Sequence, residues 1–151
     1  MHVRIRLITA AAALILGSAG ALLPTSAQAA PAGGCWNNGC SGLDPAAYCQ
    51  GDAVTVASAA IGPAVVELRY SDSCEAIWAR ISQAKYEYPG DNSPGHAKVI
   101  RNSDGASYTC TVPLGGTSCY TRMLGDHNVT SYAYGDFDRS PYNWSGRTGS
   151  Y

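Results

Sequence analysis

Six cysteines, at positions 35, 40, 49, 74, 110 and 119, lie in a chain of 151 residues, and all six follow a leader-like N-terminus. In an oxidising compartment thiols pair, so three disulfides are the expected framework. In a domain this small each native bridge contributes roughly 2–5 kcal/mol, set against the roughly 5–15 kcal/mol by which native domains exceed their unfolded chains. Arg4 and Arg6 precede an uncharged stretch from Leu7 to Leu23, Pro24 interrupts it, and Ala27 and Ala29 are the small residues a signal peptidase accepts before its cut. Residues 1–29 therefore read as a signal peptide cleaved near Ala29, and the mature chain from Ala30 as secreted and extracellular, with no membrane span left after cleavage. A retained anchor fits less well, because an apolar run of about 17 residues is at the bottom of the spanning range and no basic stop follows it.

Removal of residues 1–29 leaves 8 basic and 11 acidic residues, a net charge of −3. The mature product is mildly acidic, and the balance of 10 basic against 11 acidic residues in the whole chain offers no electrostatic footprint for polyanion binding, so nucleic acid is not an expected partner. The mature chain has room for one hydrophobic core, so residues 30–151 form a single domain, expected to be a monomer. There is no Cys-x-x-Cys pair, and neither His96 nor His127 stands at zinc-finger spacing from a second ligand. No metal and no cofactor are expected.

The residue pattern is that of an all-β chain. Val54 to Ile61 is β-prone and ends at the Gly62-Pro63 turn. From Ala64 to Ser71, Val66, Leu68 and Tyr70 alternate with Val65, Glu67 and Arg69, which predicts a strand with one apolar face. Cys74 to Lys85 fits both periods: Cys74, Ile77, Trp78 and Ile81 suit a helix, whereas Ile77, Ala79 and Ile81 suit a strand. Asp72-Ser73 favours a turn followed by a strand. Tyr88 to Gly95 reads as a loop, Ala97 to Arg101 as a strand, Asn102 to Gly105 as a turn and Val129 to Tyr134 as a strand, and the tail from Gly135 to Tyr151 is polar, Gly-containing and dotted with aromatics. Asp44-Pro45 is a capping residue followed by a first-turn proline, which predicts one helical turn from Asp44 to Cys49. The expectation is a small, disulfide-stapled antiparallel sandwich or barrel with at most one or two short helical turns.

Tyr108 to Thr121 forms two symmetric arms around Pro113-Leu114-Gly115-Gly116. A hairpin there places Cys110 opposite Cys119, close enough for a disulfide. Cys35, Cys40, Cys49 and Cys74 then pair among themselves, in an arrangement the spacing leaves open.

The residues Cys35, Cys40, Gly42, Asp44, Pro45 and Cys49, followed by Glu67-Leu68-Arg69-Tyr70-Ser71, Cys74 and Trp78-Ala79-Arg80-Ile81, resemble the YjfA-like family, secreted bacterial domains of unknown function. The resemblance runs from Cys35 to the C-terminus. It implies export and a disulfide-bonded domain, and it carries no activity. Cys110 and Cys119 stand outside the family pattern, as suits a separate bridge.

For binding, the expected patch is Glu67, Arg69 and Arg80 around Tyr70 and Trp78, on neighbouring strands. The plainer account of the same residues is a cross-strand ion pair over a half-buried tryptophan, contributing about 0–1 kcal/mol. For catalysis, only Asp126-His127 and Asp136 to Asp138 concentrate acid–base groups. No nucleophile-elbow, zincin or phosphate-loop motif accompanies them, and calcium at Asp136 and Asp138 would need more oxygen ligands than two. The leading expectation is a non-catalytic extracellular module that binds cell-wall polysaccharide or a protein partner. The alternatives are a small secreted hydrolase or toxin assembled only by the fold, and an inhibitor of secreted proteases presenting Pro113 to Gly116.

Overall fold

The computed structural model describes residues 34–87, 90 and 92–151, so the leader read over residues 1–29 and its cleavage point lie outside the described residues. In chain order the strands are β1 (Val54–Ile61), β2 (Ala64–Ser71), β3 (Ala76–Ser82), β4 (Asn92–Arg101), β5 (Ser107–Thr111), β6 (Cys119–Tyr120), β7 (Leu124–Gly125), β8 (Ser131–Arg139) and β9 (Tyr142–Arg147). They make two antiparallel sheets, β1-β2-β3-β6 with β7 also paired to β3, and β5-β4-β8-β9. The fold is a disulfide-stapled sandwich, and of the two architectures expected it is not the barrel. Helical structure precedes β1: α1 (Pro45–Tyr48) and two 3-10 turns, Asn37–Cys40 and Gln50–Asp52. Asp44 caps α1 as its sequence suggests, its carboxylate accepting from the Ala46 N–H at 2.9 Å.

Alternation places the core. Val66 and Leu68 of β2 and Ile77, Ala79 and Ile81 of β3 face Ala97 and Val99 of β4 and Ala133 and Phe137 of β8, all fully or almost fully buried. A second cluster forms on the opposite face of the first sheet, where Cys40, Cys49, Cys74, Ala76, Trp78 and Met123 pack beneath the segment that precedes β1. That covering explains the ambiguous period of β3. A strand buried on both faces shows a continuous apolar run instead of alternation, and short runs of that kind fit either a helix or a strand.

The β1–β2 hairpin turns through Gly62 and Pro63, with Ile61 opposite Ala64. Gly62 takes φ +61, and a Cβ there would run into the Trp144 ring. Glycine is required on both counts: the backbone is left-handed, and an indole lies against it.

Three expectations need correction. The arms from Tyr108 to Thr121 do not form a hairpin. β5 is taken by β4, with Cys110 opposite Ala97, and β6 is taken by β3, with Cys119 opposite Ile81. Cys110 is bonded to Cys119, Cα atoms 6.0 Å apart, so this bridge joins the two sheets at a corner of the sandwich. Secondly, β4 begins at Asn92, inside the stretch read as a loop, and its register shifts between Ser93 and His96, where Pro94 and Gly95 interrupt regular pairing. Thirdly, the strand read over Val129 to Tyr134 is longer and has a partner in the tail: β8 runs on to Arg139 and returns as β9, with Phe137 opposite Trp144. Gly135 and Gly146 face each other in that pair; their missing side chains hid the alternation and leave room for Ile61.

Candidate functional site

The residues singled out for binding lie mostly on the outer face of the first sheet. Alternation turns Glu67 and Arg69 of β2 and Trp78 and Arg80 of β3 away from the sandwich core, and the register sets Glu67 opposite Arg80 and Arg69 opposite Trp78. β6 adds Tyr120 opposite Arg80. One cross-strand row is thus Glu67, Arg80, Tyr120, and the row beside it is Thr55, Arg69, Trp78.

Of these rows Arg69, Trp78, Arg80 and Tyr120, together with Pro45 and Ala46 of α1, Gln50 and Ser118, line a hollow of about 240 Å³. Arg69 is held in place: one terminal nitrogen donates to Thr55 Oγ1 at 2.7 Å and the other to the Ala53 carbonyl at 3.0 Å. Arg80 is looser. Its side chain is 47% exposed, and its Nε lies 3.7 Å from Glu67 Oε2, beyond hydrogen-bonding distance. Glu67 itself accepts from the Thr55 hydroxyl at 2.9 Å. Tyr120 is 46% exposed, whereas Trp78 is 4% exposed and belongs to the second core cluster.

Of the patch read from the sequence, Glu67, Arg69, Trp78 and Arg80 come together. Tyr70 does not: it lies on the opposite face of β2, packed against the main core, with its ring 5.1 Å from that of Tyr151. Burial pushes the Tyr70 phenol up to about 12, helped by the charges of Glu75 and Asp72. Gln50, Ser118 and Tyr120 were not legible as site residues. Tyr120 reaches the hollow only through the pairing of a two-residue strand, which leaves no periodicity to detect.

The acid–base groups are arranged otherwise than their adjacency in sequence suggests. His127 Nδ1 lies 2.7 Å from Glu75 Oε2, and His96 Nδ1 lies 2.8 Å from Asp136 Oδ1. Neither pair lines the hollow. Among the described residues no hydroxyl or thiol lies within hydrogen-bonding distance of either imidazole, the arrangement a nucleophile and its base require.

Asp126 turns inward. It is 6% exposed, and Oδ1 accepts from the Ser131 hydroxyl at 2.5 Å. Burial pushes its carboxyl from the usual 3.8 to about 6, although the Ser131 hydrogen bond and the charge of Arg101 oppose the rise. The folded state thus holds this proton more tightly than the unfolded state. Its effect on stability is absent below pH ~4, grows as an increasing cost between pH ~4 and ~6, and is constant above. Asp126→Asn is expected to remove that slope and to raise the unfolding free energy near pH 7.5 by about 1–3 kcal/mol. Urea denaturation of both proteins at several pH values from 4 to 8 checks this; parallel curves would refute it.

Cys35 is bonded to Cys40 and Cys49 to Cys74. The two bridges touch, with Cys35 Sγ 3.6 Å from Cys49 Sγ and all four sulfurs within 4.8 Å of one another. Four cysteines clustered in this way serve zinc when the thiols are reduced; as bridges the sulfurs offer no thiolate. Among the described residues no helix is long and apolar enough to cross a membrane.

The chain matches, over residues 38–134, the family model described as protein of unknown function, DUF2690. It is similar to the uncharacterized protein YjfA of Bacillus subtilis (strain 168), 36% identical over 95 residues, an alignment that covers 58% of this chain and 59% of that protein. The match thus spans less than two thirds of the relative. No solved structure matches.

Proposed function

We propose that this chain, which belongs to the DUF2690 family of proteins of unknown function, is a secreted, non-catalytic, monomeric module, residues 30–151, that holds cell-wall polysaccharide through the outer face of its first sheet. The observation that carries this reading is the hollow of about 240 Å³, lined by Arg69, Arg80, Gln50, Ser118 and the exposed ring of Tyr120. A ring that stacks on a sugar face, beside side chains that donate to hydroxyls, is how a protein grips a saccharide without chemistry. Three disulfides, one of them, Cys49–Cys74, tying the segment that forms one wall to the β2–β3 turn, suit a site held rigid outside the cell.

Co-sedimentation of the mature protein with washed cell walls, chitin and cellulose tests the reading, with a reduced and alkylated sample as control. Saturable binding lost on reduction is the expected result. Tyr120→Ala is expected to weaken it about tenfold with little change in melting temperature. Trp78→Ala is unsuitable as a probe, since Trp78 is part of the core. No binding to any of the three polymers, with the protein folded, would refute the reading.

A further inference from the structure

The hollow has a neighbour. A second depression of about 250 Å³, lined by Asp44, Pro45, Thr109, Tyr120, Thr121 and Arg122, shares Pro45 and Tyr120 with the first. The two adjoin at Pro45 and Tyr120, and are together called the trench, with Arg69 and Arg80 in one and Arg122 in the other.

What distinguishes these three arginines is how they are held. Arg69 is fixed by a hydroxyl and a carbonyl, and Arg122 donates to the Gly42 carbonyl at 3.0 Å. Neutral acceptors position a guanidinium without cancelling its charge. Arg80 has one carboxylate nearby, Glu67, at 3.7 Å and not hydrogen-bonded. By contrast Arg101, outside the trench, makes a close two-point pair with Asp104, at 2.6 and 3.0 Å. Among the acidic side chains of the described residues, Asp44 alone lines the trench, and its carboxylate is engaged in capping α1. In a mature chain of net charge −3, three arginines are thus set along one line against two carboxylates, Glu67 and Asp44, which leaves a local excess of positive charge there. The overall balance that argues against polyanions describes the far field, whereas a ligand in a groove meets the local one.

Building on the polysaccharide reading above, we infer that the ligand is a linear anionic chain of sugar or polyol repeats, with carboxylate or phosphodiester groups spaced along it. Anionic groups pair with Arg80 and Arg122 through charge-assisted hydrogen bonds, Arg69 supplies fixed positive potential, and the Tyr120 ring carries the intervening repeat. Two depressions in succession, joined at an aromatic ring, suit consecutive repeats of one chain and not a single small anion.

Titration calorimetry with the disulfide-intact mature protein tests this, using polygalacturonate, poly(glycerol phosphate), neutral dextran and single-stranded DNA as probes. Binding to one or both of the first two, weakening as salt is raised, is expected; which of them binds separates carboxylate from phosphodiester recognition. Arg80→Gln and Arg122→Gln are each expected to weaken it about tenfold, with Arg139→Gln and Arg147→Gln within about twofold of the parent. Salt-insensitive binding to dextran, or retention on chitin or cellulose without binding to either polyanion, would overturn the anionic assignment and leave the polysaccharide reading standing. Absence of binding to every polymer would overturn both. Undiminished polyanion binding by the Arg80 and Arg122 variants, or DNA binding of equal strength, would overturn the trench as a selective site.

Discussion

Phe137→Ala is expected to lower the unfolding free energy by about 3–5 kcal/mol, the range for the largest single truncations in a core. Phe137 is 1% exposed and heads the fully buried side chains by volume. It sits on β8 within the main core, and its ring stacks at 5.9 Å on that of Trp144 in the neighbouring strand. Removing the ring forfeits its transfer free energy and leaves a cavity between two sheets whose disulfide limits how far they can close. A loss of this size against a total of roughly 5–15 kcal/mol leaves the variant partly unfolded at 37 °C. Guanidinium denaturation monitored by tryptophan fluorescence measures it. A change under about 1 kcal/mol would mean that the sheets re-pack over the gap.

The second large effect is expected from the double replacement Cys49→Ala with Cys74→Ala. That bridge ties the end of α1 to the β2–β3 turn across 25 residues, and both cysteines are almost fully buried. Loop-closure entropy for a separation of this size gives about 3.5 kcal/mol, within the roughly 2–5 kcal/mol observed for native bridges. The consequence is also local. The segment before β1 covers Trp78, and α1 and Gln50 form part of the hollow. Loosening that segment is expected to expose the indole and to weaken ligand binding, with the sandwich still folded. Melting curves, a red shift in tryptophan emission and hydrogen exchange across residues 35–53 report the three effects. An unchanged melting temperature would show that side-chain packing alone holds the segment. Cys110→Ala with Cys119→Ala is the comparison: it removes a bridge across 9 residues on the other side of Tyr120 and leaves the cover over Trp78 in place.

Local patterns were legible where one face of a strand meets solvent and the other the core. β1 and β2 have the limits their residues suggest, and α1 begins at its proline. The pairing of Cys110 with Cys119 was reached through a hairpin that does not form. Symmetric arms and a turn-like centre fit a hairpin locally, yet β4 and β3 offer each arm a longer partner. The return of β9 along β8 escaped detection because Gly135 and Gly146 carry turn signals within strands that pack closely against β1 and β2, and the tight turn between those strands, at Ser140-Pro141, follows a stretch with no clear alternation.

The candidate site was half legible for the same reason. Glu67, Arg69, Trp78 and Arg80 follow from alternation once two strands pair. Tyr70 shares the parity of Val66 and Leu68, so grouping it with Arg69 and Arg80 rested on adjacency alone; its ring stays on the core side, against the C-terminal Tyr151. Tyr120, Gln50 and Arg122 come from segments far away in the chain, and no spacing rule connects them with β3.

The sequence by itself determined the class of fold, the framework of paired cysteines, the family, and the strand faces whose residues alternate, because each of these depends on composition or on neighbours a few residues apart. Only the tertiary structure decided that the third bridge joins two sheets, that Trp78 is core instead of contact surface, and that three arginines, two of them with neutral anchors, line adjoining depressions. Those outcomes depend on which strand edges are free and on what covers an outer face, and both are set by packing between segments distant in sequence.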